Sequence, residues 1–221
     1  MSLLTQIQEE LQQNKTTLVA VSKTKSCEAI LTLYNEGQRI FGENKVQELV
    51  EKQAQLPKDI QWHLIGHLQT NKVKYIIPFV DMIHSVDSLH LLREINKQAN
   101  LQNKMVSVLL QVHIAQEDSK FGLDTKELVE IMEYYTAENS SLSNVTICGL
   151  MGMATFTEDE QIIRHEFKQL MELFTFIKNG YLIHKKDFKE RSMGMSGDYK
   201  IAMQEGSTMV RIGSLLFGDR K

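Results

Sequence analysis

A lysine at the open end of a buried strand is the first residue in this chain whose type and place could do chemistry. Leu18, Val19, Ala20 and Val21 form an apolar run, and Ser22, Lys23, Thr24 and Lys25 follow it. Partial burial disfavours an ammonium, and a second cation such as Lys25 disfavours it further, so the Lys23 amine becomes available as a nucleophile toward an aldehyde. On position alone, a rim lysine that snorkels to water is the stronger reading.

Two distant segments change that balance. Ser192 to Asp198 reads SMGMSGD and Val210 to Ser214 reads VRIGS, and each ends an apolar run in a small, hydroxyl-bearing turn. Glycine lets backbone N–H groups close on an anion, and Ser196 and Ser214 add hydroxyl donors, a composition suited to phosphate. Each charge-assisted bond contributes about 1.5 to 3 kcal/mol, so three or four would anchor a phosphate before any covalent step. Ordinary glycine turns are a fair rival for either segment singly and a weaker one for both. Arg211 alternates with Val210 and Ile212 and so points inward. It either pairs with a structural carboxylate or faces the ring nitrogen of a bound cofactor and keeps that nitrogen unprotonated.

Residues so far apart in sequence need a scaffold that gathers them. Strand-length apolar runs recur at Leu18–Ser22, Arg39–Gly42, Trp62–Gly66, Met82–Val86, Met105–Val112, Val145–Met153, Arg191–Met195 and Met209–Gly213. Helical patterns separate them. The clearest places Ile163, Phe167, Leu170, Phe174 and Ile177 on one face, with Thr157 and Glu160 as a capping box and Asn179 with Gly180 as a left-handed stop. Asp124 and Glu127 repeat the start signal before Leu128, Ile131, Met132 and Tyr135. Strand then helix, eight times, predicts an α/β fold, a parallel (β/α)₈ TIM barrel, compact against a usual size of about 250 residues. An open doubly wound sheet is the alternative, disfavoured by the lack of a GxGxxG turn after the first strand. Pro57 and Pro78 fall in helix-to-strand connections. In such a barrel the strand carboxyl ends carry function, and the loops after strands seven and eight are the usual phosphate site.

The 221 residues, 42% hydrophobic and 24% charged, suit a single domain over 1–221, with residues 1–13 as an amphipathic helix packed outside the barrel. A net charge of -3 with interspersed signs argues against nucleic acid. Cys27 and Cys148 form no CxxC pair, and no signal peptide or membrane-length apolar run is present. A soluble cytoplasmic protein with no membrane partner is the expectation. His63 and His67 have metal-like spacing but read as strand and turn, and no metal is expected. Lys72 is read as a solvated helix-start residue, Met151, Met153, Met193 and Met195 as barrel packing, and the role of Lys120, Phe121 and Gly122 is left open.

Five segments, VAVSKTK (Val19–Lys25), FGEN with VQE (Phe41–Asn44, Val46–Glu48), HLIGHLQTNK (His63–Lys72), GMS (Gly194–Ser196) and GSTMVRIG (Gly206–Gly213), together resemble the YggS/PROSC (PLPBP) family of pyridoxal phosphate homeostasis proteins. The resemblance implies a barrel similar to the N-terminal domain of alanine racemase that binds pyridoxal 5′-phosphate (PLP). Lys23 would be the Schiff-base lysine, Arg211 would sit at the pyridine nitrogen, and Ser196, Gly213 and Ser214 would lie around the phosphate. It also implies Asn44 near the cofactor, against a competing reading as a helix cap. Ser26 and Lys45 depart from the family's usual proline and tyrosine, and neither touches Lys23.

Three functions are compatible with this reading. The first is a PLP carrier that buffers the aldehyde or delivers it to PLP-dependent apo-enzymes without efficient catalysis. The second is a stand-alone racemase or lyase, which would need an opposing base such as Tyr199. The third is an interaction module with a vestigial site. Racemases with this barrel carry a second, β-rich domain, whereas here the chain ends at Lys221, soon after the last strand; the first reading, as a monomer, is the expectation.

Overall fold

A computed structural model describes residues 2–116 and 121–218. All eight expected strands form: β1 (Thr17–Val21), β2 (Ile40–Glu43), β3 (Gln61–Leu64), β4 (Val80–Val86), β5 (Val106–Gln111), β6 (Val145–Met151), β7 (Glu190–Met195) and β8 (Met209–Ile212). Each pairs in parallel with the next and β8 returns to β1, with Leu18 opposite Val210 and Val19 opposite Arg211, so the sheet closes into a TIM barrel. Closure buries both faces of every strand, which is why Leu18, Val19, Ala20 and Val21 are all buried.

Helix α1 (Leu3–Gln13) precedes the barrel and buries Leu4, Ile7 and Leu11. Helices α2 (Cys27–Asn35), α3 (Val46–Gln55), α4 (Val73–Ile76, after a 3₁₀ turn at Thr70–Lys72), α5 (Leu89–Leu101), α6 (Thr125–Thr136), α7 (Glu160–Gly180), α8 (Tyr199–Gln204) and α9 (Ser214–Phe217) alternate with the strands. Ser26 caps α2 by accepting from the Ala29 N–H. Asp124 and Glu127 form the expected capping box of α6.

The ends of α7 differ from expectation. Asp159, not Thr157, is the cap: its carboxylate accepts from the N–H groups of Gln161 and Ile162, while Thr157 Oγ1 accepts from Asp159 N. A carboxylate also gains from the positive end of the helix dipole, so it wins over a hydroxyl two residues away. At the other end Gly180 remains helical and Tyr181 is the cap, because the chain leaves the helix without a left-handed residue.

A small apolar cluster of the barrel packs Leu109, Cys148 and Met151 with Met82 and Met153. Elsewhere the buried set includes polar side chains, among them Glu43, His63, His84, Ser192 and Arg211, all from strands. Among the described residues no helix is long and apolar enough to cross a membrane.

Candidate functional site

The residues singled out in sequence converge. Lys23, Asn44, Ser196, Arg211, Gly213 and Ser214 all line one cavity of about 650 Å³ at the carboxyl ends of the strands. Lys23 lies two residues beyond β1 and is half-buried. Its chain reverses immediately: Lys25 N donates to Ser22 O at 3.0 Å, and Thr24 takes a left-handed φ of 65°.

Lys25 lines the same cavity as Lys23. Its ammonium donates to the carbonyl oxygens of Phe217 and Gly218, at 3.1 and 3.0 Å, and so ties the Lys23 loop to the end of α9.

The loops after β7 and β8 meet at the opposite wall. Gly213 N donates to Ser196 Oγ at 3.2 Å, joining the two expected phosphate loops directly. Asp198 Oδ1 accepts from Met195 N at 2.5 Å and sets the turn. In β7, Gly194 has a φ of 96°, and a Cβ there would lie 2.5 Å from the Ala202 Cβ, so the bend that delivers Ser196 requires glycine.

Arg211 points inward, as its alternation in β8 predicts, and is buried. It is not held by a structural carboxylate: its partners among the described residues are Ser192 O at 2.8 Å, Ser192 Oγ at 2.7 Å and Gly152 O at 3.0 Å. Burial lowers its pKa to about 10, opposed by the Asp198 carboxylate, so it stays cationic at neutral pH. Behind it runs a buried polar relay. Ser192 Oγ meets His84 Nδ1 at 3.0 Å, and His84 Nε2 meets His63 Nδ1 at 2.9 Å. Desolvation pushes His63 down to about 3; desolvation, with the charges of His63 and Arg211, pushes His84 well below its ordinary value. Both rings are therefore neutral.

Asn44 is not a helix cap. Lys45 occupies the cap position of α3, without a side-chain bond, and Asn44 stands on the cavity wall. Its Oδ1 is buried and has no hydrogen-bond partner among the described residues. Gly66 closes over it, where a Cβ would lie 2.4 Å from Asn44 O. A buried acceptor at a wall that also carries an amine, a guanidinium and serine hydroxyls fits a polar aromatic phosphate such as PLP.

Several wall residues escaped sequence reasoning. Ile65, Thr155 and Thr157 line the cavity, as do Met153 and Met195, whereas Met151 and Met193 are buried as expected of barrel packing. Buried Glu166 on α7 holds the loops after β5 and β6 by accepting from Thr155 N, Thr155 Oγ1 and Gln116 N. The signal for the relay was present but unread: a histidine inside the buried run Met82–Val86 has to find a polar partner.

His63 and His67 separate. His63 joins the relay, whereas His67 pairs with Asp87 at 3.2 Å and stacks on the exposed Phe121 ring at the rim. No group of three or more His, Cys, Asp or Glu side chains among the described residues could hold a metal. Lys72 lies near the exposed Tyr75 ring, away from the cavity lining. Lys120 lies outside the described residues. Tyr199, the candidate opposing base, is absent from the described lining and donates to Glu10 Oε2 on α1 at 3.0 Å; burial and that carboxylate push its pKa up to about 12.

A family model described as "Alanine racemase, N-terminal domain" matches residues 4–221. A pyridoxal phosphate homeostasis protein of Aquifex aeolicus is 41% identical over 210 residues, covering 95% of this chain and 89% of the relative. Among solved structures, PipY of Synechococcus elongatus with PLP bound superposes with a TM-score of 0.87 at 33% identity, covering 98% of this chain and all of that one. Alanine racemase from Bartonella henselae shares the fold, with a TM-score of 0.68 at 16% identity over 99% of this chain and 60% of its own.

Proposed function

The chain belongs to the YggS/PLPBP family of pyridoxal phosphate homeostasis proteins, and from that premise we propose that it binds PLP at the barrel mouth, holds it as a Schiff base on Lys23, and buffers it or delivers it to PLP-dependent apo-enzymes. The observation that carries this reading is the convergence of an amine, two linked glycine–serine loops and a buried guanidinium on one cavity.

PLP, when bound, supplies an electrophilic aldehyde on an electron-poor ring. Lys23 would be the residue that holds it: its deprotonated amine would act as the nucleophile toward that aldehyde and give up both hydrogens as the carbonyl oxygen leaves as water. Ser196, Gly213 and Ser214 would hold the phosphate, Asn44 would accept from a polar substituent, and Arg211 would face the ring nitrogen as a donor and keep it unprotonated. An unprotonated ring is a weak electron sink, which limits carbanion chemistry.

The cavity also supports a carrier in preference to a racemase. Its ionisable lining among the described residues is Lys23, Lys25, Asp198 and Arg211. Lys25 is bonded to backbone carbonyls, Arg211 is anchored on Ser192, and Asp198 sets a turn. None is arranged as a second base opposite Lys23.

The test is to load the protein with PLP, reduce with borohydride and map the pyridoxyl group by mass spectrometry. An adduct on Lys23, absent in Lys23→Ala, is expected; an unmodified Lys23 at saturation would sink the assignment. For delivery, reactivation of a PLP-dependent apo-enzyme by loaded protein should outpace reactivation by the PLP it releases into solution.

A further inference from the structure

The two peptide groups on either side of Lys23 are each pinned by a charged side chain. The peptide joining Ser22 to Lys23 presents its carbonyl to the Lys52 ammonium at 2.7 Å, and the peptide joining Lys23 to Thr24 presents its N–H to Glu48 Oε1 at 2.6 Å. Because peptides are planar, fixing these two planes fixes φ and ψ of Lys23 and so the direction in which its side chain leaves the backbone.

The pins are themselves joined. Lys52, 5% exposed although it is a lysine, gives its other two ammonium hydrogens to Glu43 Oε1 and Glu48 Oε1, each at 2.6 Å. All three of its donors are then in use. Ser22 Oγ adds a bond of 2.6 Å to Glu43 Oε1. Glu43 is fully buried, and desolvation raises its pKa against the lowering influence of Lys52 and Ser22. Its Oε2 has no hydrogen-bond partner among the described residues.

This is a costly way to fasten α3 to β1. A buried ion cluster with an unsatisfied oxygen gives less stability than apolar residues of the same volume. What it can supply is direction, and the loop needs it. Thr24 is β-branched yet holds a φ of 65°, a region such residues avoid. A strained turn of this kind persists only where its surroundings over-determine it.

We propose that Lys52, with Glu43 and Glu48, positions Lys23, setting the backbone from which its amine reaches the aldehyde of a ligand in the cavity. The inference rests on the reading of Lys23 as the Schiff-base residue. It separates two contributions to PLP affinity: the phosphate loops and Arg211 lie on or after β7 and β8 and, among the described residues, share no hydrogen bond with Glu43, Glu48 or Lys52, whereas the backbone on both sides of Lys23 does.

The experiment compares PLP with pyridoxine 5′-phosphate, which carries a hydroxymethyl group in place of the aldehyde and cannot condense with an amine. In the full chain bearing Lys52→Met, PLP affinity should fall about tenfold or more, the loss of one charge-assisted anchor, while pyridoxine 5′-phosphate affinity stays within about twofold. The fraction of Lys23 trapped by borohydride at a fixed PLP concentration should fall with the PLP affinity. Equal losses for both ligands would mean that the cluster only supports the fold, and no loss for either would mean that Lys23 does not need it; both overturn the proposal. Should Lys52→Met fail to fold, Glu48→Ala, whose side chain is partly exposed, decides the matter on the same ratio of affinities. Absence of a Lys23 adduct in the unaltered protein is a different result and overturns the Schiff-base assignment instead.

Discussion

Arg211 donates to the Ser192 hydroxyl at 2.7 Å, and this bond fixes the direction of the protons behind it. A guanidinium cannot accept, so Ser192 Oγ accepts from it and sends its own hydrogen to His84 Nδ1. His84, being neutral, then carries its proton on Nε2 and donates it to His63 Nδ1. Ser192→Ala removes the junction and leaves His84 Nδ1 buried without a donor. Unfolding in urea should show a loss of about 1 to 3 kcal/mol. A loss within error of zero would mean that the relay does not anchor Arg211.

The same relay makes stability depend on pH. His63 and His84 have folded-state pKa values below the ordinary 6.5, so below that pH the unfolded chain takes up protons that the native chain refuses. Stability is full above 6.5 and declines as pH falls. Each histidine contributes a slope approaching 1.4 kcal/mol per pH unit, or about 2.7 for the pair. Urea midpoints measured from pH 7.5 to 5 should fall accordingly, and His63→Gln should flatten the slope. A flat profile over this range would place the histidines in contact with water.

Ser196 and Gly213 should discriminate for phosphate specifically. Ser196→Ala removes a hydroxyl donor, and PLP affinity should drop about fivefold, near 1 kcal/mol, with pyridoxal affinity unchanged. Fluorescence titration with the two ligands reads this directly. An equal drop for pyridoxal would move Ser196 out of the phosphate site.

Tyr199 separates the carrier reading from the racemase reading. Because its hydroxyl is spent on Glu10, Tyr199→Phe should cost about 0.5 to 1.5 kcal/mol of stability and leave the borohydride-trapped fraction of Lys23 unchanged. Racemisation of an amino acid by the unaltered protein, lost in Tyr199→Phe, would support the opposing-base role.

The eight strands were legible because a parallel barrel strand, buried on both faces, reads as an unbroken apolar run, as Leu18 to Val21 does. Lys23, Ser196, Arg211 and Gly213 each interrupt or end such a run, and that sequence feature was enough to single out residues that line one cavity. The relay was not, since His63, His84, Ser192 and Arg211 come from four strands and meet only when the sheet closes. Lys52 was hidden for the same reason: on α3 it has the spacing of an ordinary surface lysine, and only the geometry of β1 and β2 turns it inward. The start of α7 was misplaced because Thr157 and Asp159 both have capping chemistry, and sequence spacing does not rank a carboxylate against a hydroxyl two residues away.

The bond from Gly213 N to Ser196 Oγ bears on reversibility. If these loops hold the PLP phosphate as proposed, an arriving oxygen would take over a donor that already has an acceptor, and a departing one would hand that donor back. Part of the gain on capture would be cancelled, and part of the penalty on release returned, by an exchange internal to the two loops. Such a site would hold its cargo less tightly than its donors allow and would let it go without stranding an N–H, the balance that suits temporary custody of a reactive aldehyde.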